Sequence, residues 1–97
     1  MNLTFIRTVR SPSSERYVLR TDGPADAAAL DLHYLADGSV AATLVVLDKS
    51  LATQEQVESL LAKIDETLLP MVSFNDKNLQ FTVVSGKVIG NFSPQKD

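Results

Sequence analysis

The sequence predicts an α+β two-layer sandwich: a mostly antiparallel sheet of about six strands with one amphipathic helix on one face. Three observations predict it. Residues 53–69 carry an apolar stripe at helical spacing, the segments on either side alternate apolar and polar residues, and Gly, Pro, Asn and Asp punctuate the chain at short intervals.

Taken in order, residues 3–9 alternate Leu3 and Phe5 with Thr4 and Thr8 and read as a strand. Ser11-Pro12-Ser13-Ser14 breaks it, because Pro lacks a backbone donor and Ser favours local side-chain bonds to the backbone. Residues 16–21 alternate again, Tyr17 and Leu19 against Arg16, Val18 and Arg20, as the second arm of a hairpin. Asp22-Gly23-Pro24 then marks a turn. Residues 25–36 read two ways. Asp22, Pro24 and Gly38 would bound a helix with Ala25, Ala28, Ala29, Leu32 and Leu35 on one face. A strand gathers Leu30, Leu32 and Tyr34 instead, and Asp37-Gly38 between two extended runs is a hairpin signal, so the strand is preferred.

The helix at residues 53–69 is the clearest element. Thr53 with Gln56 three residues on forms a capping box. Val57, Leu60, Leu61, Ile64 and Leu68 fall on one stripe, and Pro70 ends it. Glu55, Glu58, Lys63, Asp65 and Glu66 make the solvated side. Residues 71–74 read as a short strand before the Asn75-Asp76-Lys77-Asn78 turn. Residues 79–84 and 88–92 read as a hairpin around Ser85-Gly86-Lys87, followed by a frayed tail at 95–97. The expected inner face collects Leu3, Phe5, Tyr17, Leu19, Leu30, Leu32, Val45, Leu47, Leu79, Phe81 and Val83.

The segment 40–47, VAATLVVL, poses a problem, because only Thr43 in it is polar. With Asp37-Gly38 as a two-residue turn, Leu30 lies opposite Val45, Leu32 opposite Thr43 and Tyr34 opposite Ala41, all facing the helix. The reverse face then pairs Leu35 with Val40, His33 with Ala42, Asp31 with Leu44 and Ala29 with Val46. One helix cannot cover both sides of a sheet. The expected interface is therefore Leu35, Val40, Ala42, Leu44 and Val46, and the expected partner is a second copy, since a two-fold axis lets one apolar patch cover its own image.

Composition bounds the chemistry. The chain has 97 residues, of which 44% are apolar and 22% charged. It is read as one domain over residues 1–97 with a core one layer deep. A net charge of −3 and a pI of about 5.0 argue against nucleic-acid binding. With no cysteine, thiolate catalysis, disulfides and Cys-ligated zinc are excluded. A single histidine excludes a multi-histidine metal site within one protomer. No apolar run approaches the roughly 20 residues that span a bilayer. A soluble, cytoplasmic protein without membrane association, cofactor or metal is expected.

Two clusters are candidate ligand sites. Asp31-x-His33 places a carboxylate and an imidazole on one strand face, the arrangement that orients a general base, but no nucleophile is marked near it. All four arginines, Arg7, Arg10, Arg16 and Arg20, lie in the first 20 residues against Glu15 alone. Arginine suits bidentate capture of carboxylate or phosphate, although such stems more often lie over a sheet face. Neither cluster carries a recognisable reaction. The chain is thus expected to be a non-catalytic interaction module that self-associates through its sheet and holds a protein partner. The alternative is a small enzyme or anion binder using Asp31, His33 and the arginines.

Overall fold

The computed structural model describes residues 2–68 and 79–94. The predicted α+β class holds: five strands form one mixed sheet, with one α-helix against it. The strands are β1 (Thr4–Arg10), β2 (Ser14–Arg20), β3 (Ala28–Tyr34), β4 (Val40–Val46) and β5 (Leu79–Ser85), and they lie in the sheet in chain order. Residues 25–36 yield strand β3 rather than a helix. The first four strands are antiparallel neighbours joined by short turns, whereas β4 and β5 run parallel. A parallel pair needs a crossover, and α1 (Gln54–Leu68) supplies it. The short strand expected at 71–74 lies outside the described residues.

The helix forms where its stripe requires. The Gln56 N–H donates to Thr53 Oγ1 at 3.3 Å, which satisfies one of the free donors of the first turn. Leu60 and Ile64 are fully buried, and Val57, Leu61 and Leu68 pack half-buried around them. The solvated side is exposed at Glu55, Glu58, Lys63 and Glu66, while Asp65 is half-buried. Ahead of the helix, Asp48 caps a short 3-10 turn (Lys49–Leu51), accepting from the Ser50 N–H at 3.0 Å and the Ser50 hydroxyl at 2.8 Å. That turn drops Leu51 into the core.

The β3–β4 turn corrects the sequence reading. Leu35 N–H donates to the Ser39 carbonyl at 2.8 Å, so three residues, Ala36-Asp37-Gly38, close the loop rather than two. Gly38 ends the loop at φ 89°, in the left-handed region that glycine adopts without steric cost. Asp37 Oδ1 accepts from the Ser39 N–H at 2.9 Å and holds the turn shut. The extra loop residue moves the register by one, so that Leu30 pairs with Leu44, Leu32 with Ala42 and Tyr34 with Val40. A slip of one residue carries a whole strand face to the other side of the sheet. Val40, Ala42, Leu44 and Val46 therefore lie under the helix, with 0–3% of their surface exposed. They join Leu19, Leu30, Leu32, Leu60 and Ile64 in one core. Val45, expected inside, faces the other way, and Leu47 is only half-buried.

The C-terminal hairpin is also corrected. Residues 86–94 form no strand and are exposed, and Gly86 N–H donates to the Val46 carbonyl at 3.1 Å, continuing the β4–β5 ladder past Ser85.

Candidate functional site

The core alternation defines the second face of the sheet. Leu19, Ala28, Leu30, Leu44 and Val46 point into the core, so their chain neighbours point away from it. Following the register across the strands, Ile6 pairs with Val18, Val18 with Ala29, Ala29 with Val45 and Val45 with Val84. One apolar row thus crosses all five strands on the face opposite α1. Ile6, Val18, Ala29 and Val45 are half-buried and Val84 is 46% exposed. Among the described residues, no helix or strand covers this row.

A polar row lies beside it. Val9 pairs with Arg16, Arg16 with Asp31, Asp31 with Thr43 and Thr43 with Thr82. Arg16 Nε donates to Asp31 Oδ1 at 2.7 Å, an ion pair that raises the guanidinium further above its ordinary pKa. Towards the other end of β2, Arg20 Nε donates to Asp26 Oδ1 at 2.9 Å. Both pairs are well exposed, which limits each to about 1 kcal/mol or less. Their contribution is to local charge, because each positive group on this face sits against a negative one.

The predicted ligand residues do not form one site. A bulge between Arg7 and Val9 flips the face along β1, and Arg7 and Arg10 fall on the helix side opposite Tyr17 and Glu15. There the Tyr17 hydroxyl donates to the Glu15 carboxylate, and burial with this bond pushes the Tyr17 hydroxyl pKa up. Arg16 and Arg20 are on the opposite face, already engaged. Asp31 bonds to Arg16 and makes no bond to His33, which is exposed. Val9, Ser14, Glu15, Arg16, Asp31 and His33 line a shallow depression of about 130 Å³, below the roughly 300 Å³ of the smallest typical ligand pocket. No group of three His, Asp or Glu side chains among the described residues is placed to hold a metal ion.

The interface predicted at Leu35, Val40, Ala42, Leu44 and Val46 is corrected as well. Four of these five are core residues, and Leu35 stands alone at the turn with 48% exposure. The apolar surface on the reverse face belongs to the row above, which sequence reasoning missed. A usable signal was present. With a three-residue loop, Leu30, Leu32 and Ala28 align with Leu44, Ala42 and Val46 on one face, a tighter apolar grouping than the two-residue turn gives.

No helix among the described residues is long and apolar enough to cross a membrane. Comparison with protein-family models, with curated proteins and with solved structures finds no match.

Proposed function

We propose that this chain is a small, non-catalytic interaction module that joins a second copy of itself through the uncovered face of its sheet. The observation that carries the reading is the row Ile6–Val18–Ala29–Val45–Val84, apolar across all five strands and without cover among the described residues. Five strands about 4.8 Å apart and seven residues long at about 3.3 Å each give a face of roughly 550 Å² before side-chain relief is counted. That approaches the area of about 800 Å² per partner found in stable interfaces. Charge favours a second copy over an oppositely charged partner: Arg16 with Asp31 and Arg20 with Asp26 leave the face internally neutral, so it meets its own image without net repulsion. The non-catalytic reading rests on an Asp31 committed to Arg16, a single exposed histidine and the absence of cysteine.

Light scattering across a concentration series tests the reading. The wild-type chain is expected to be larger than a monomer, and Val45→Asp, which sets a charge in the centre of the row, is expected to lose that association while staying folded. A wild-type chain that remains monomeric at high concentration overturns it. An activity found by substrate screening and abolished by His33→Ala without unfolding would replace it with the enzymatic alternative.

A further inference from the structure

A second unpartnered surface lies at the end of the sheet, away from the proposed face. Among the described residues β5 is an edge strand, and its sequence Leu79-Gln80-Phe81-Thr82-Val83-Val84 carries no charge and no proline. Proteins ordinarily blunt such edges, because an open ladder of N–H and C=O groups recruits further strands. The other edge, β1, is blunted by the bulge after Arg7 and by Arg7 and Arg10. Among the described residues, β5 has no such device and no strand on its outer side.

The chain that leaves β5 matches this edge. Residues 86–94 make no strand, yet they carry Val88 at 61%, Ile89 at 90% and Phe92 at 87% exposure. The Phe92 ring folds back beside Gly90 of the same arm, where an added Cβ would come within 3.1 Å. By its pattern this arm is the missing partner of β5. A hairpin around Ser85-Gly86-Lys87 sets Val84 opposite Val88, Val83 opposite Ile89 and Gln80 opposite Phe92. The turn, however, is not made. Residues 85–87 close no such loop, because the chain beyond Ser85 forms no strand beside β5. The Gly86 N–H instead extends the ladder to Val46.

We infer that two copies of this chain exchange their C-terminal arms, each arm adding as a strand to the partner's β5 edge. The opened hinge at 85–87 leaves every residue pair of the hairpin available, now between chains, with the two-fold axis at Gly86. Val88 and Phe92 then continue the face that holds Val84, and Ile89 continues the helix side next to Val83, which is 37% exposed. Each exchange buries one arm and one edge. With Phe92 burying about 150–250 Å² and two aliphatic residues beside it, both arms together bring the contact to the scale of a standard interface. The inference goes beyond the face reading: it uses the backbone edge of β5, and Val84 alone belongs to both contacts.

Paired cysteines test it, in a chain with no cysteine of its own. Val84→Cys/Val88→Cys, oxidised mildly and run without reductant, is expected to give a covalent dimer. Val84→Cys alone is expected to remain a single chain, because four residues of antiparallel offset hold its two copies about 14 Å apart, beyond disulfide reach. A double variant that closes a disulfide within one chain, or keeps its thiols free, overturns the exchange. So does cross-linking of the single variant to the same extent. Adding Val45→Asp to the double variant separates the two proposals. The covalent dimer persists if only the face reading fails. If only the exchange fails, the wild-type association and its loss on Val45→Asp persist without the disulfide.

Discussion

Leu44 and Val45 are neighbours in β4 with opposite fates, and substituting each by aspartate tests the register that organises the whole sheet. Leu44 has no exposed surface and pairs with Leu30 beneath the helix. Truncating a buried leucine costs about 2–5 kcal/mol, and placing a carboxylate there adds several more unless it is neutralised. A domain of this size has a total stability of about 5–15 kcal/mol, so Leu44→Asp is expected to consume most or all of it. Val45 points to the uncovered face and is half-buried. Its change to aspartate removes strand propensity and a little packing, and is expected to cost about 1 kcal/mol in the isolated chain. Denaturant melts followed by circular dichroism read both. The expected result is an unfolded or severely destabilised Leu44→Asp beside a cooperatively folding Val45→Asp. A folded Leu44→Asp with an unfolded Val45→Asp would refute the three-residue loop, and with it the position of the apolar row.

Three further outcomes follow from the same packing. Leu60→Ala is expected to lose about 2–5 kcal/mol, and half-buried Leu61→Ala clearly less; equal losses in urea melts would mean that the helix is rotated from the position described. Gly38→Ala meets no atom within 4 Å, so its cost is that of the backbone alone, about 1–2 kcal/mol by thermal melting; a neutral substitution would show that the loop closes in another way. Hydrogen bonds from Ser39 and Ser50 hold the Asp37 and Asp48 carboxyls below the usual carboxylate range. A lowered folded pKa contributes stability that is complete above the unfolded value of about 3.9 and fades as pH falls through the lower folded value. The melting-temperature gap between wild type and Asp48→Ala is therefore expected to be constant from pH 5 to 7 and to shrink below about pH 4; a gap that widens on acidification contradicts that sign.

Legibility followed the length over which a pattern repeats. The helix was readable because Val57, Leu60, Leu61, Ile64 and Leu68 repeat one spacing over three turns, with Thr53 as a cap before them. The two N-terminal hairpins were readable from their turn residues, whereas the order that sets β2 beside β3 was not. Nor was the register of β3 on β4, because it depends on one loop residue. Asp37-Gly38 serves a two-residue and a three-residue turn equally well, and what separates them is the bond from Leu35 to the Ser39 carbonyl. That single error moved the candidate interface from the row around Val45 to core residues. The arginines misled for a related reason. Their closeness in sequence suggested one site, but the bulge after Arg7 and the alternation of strand faces send Arg7 and Arg10 to one side and Arg16 and Arg20 to the other. Asp31 and His33 do share a face, yet Asp31 bonds across the sheet to Arg16, its direct cross-strand partner.

The two proposed contacts constrain each other through symmetry. Face-to-face packing places its two-fold axis between the sheets, whereas arm exchange places one at Gly86, at the sheet's edge. Two distinct two-fold axes close into a tetramer when they cross at right angles and into a larger dihedral ring when they cross at an angle such as 60°; axes that do not meet at a closing angle give a filament. A protein that uses both surfaces is thus expected to sediment as more than two chains, and as four where the axes cross at right angles. Removing residues 87–97 should then leave the face-joined dimer, and Val45→Asp should leave the arm-joined one. Two chains in the wild type, with one of these variants monomeric, would assign the association to a single surface. The β5 edge decides which result is physically tenable in its absence. Uncharged, and with no strand on its outer side among the described residues, it leaves the truncated face-joined dimer more prone to aggregate on standing than the arm-joined Val45→Asp dimer, whose edge is covered.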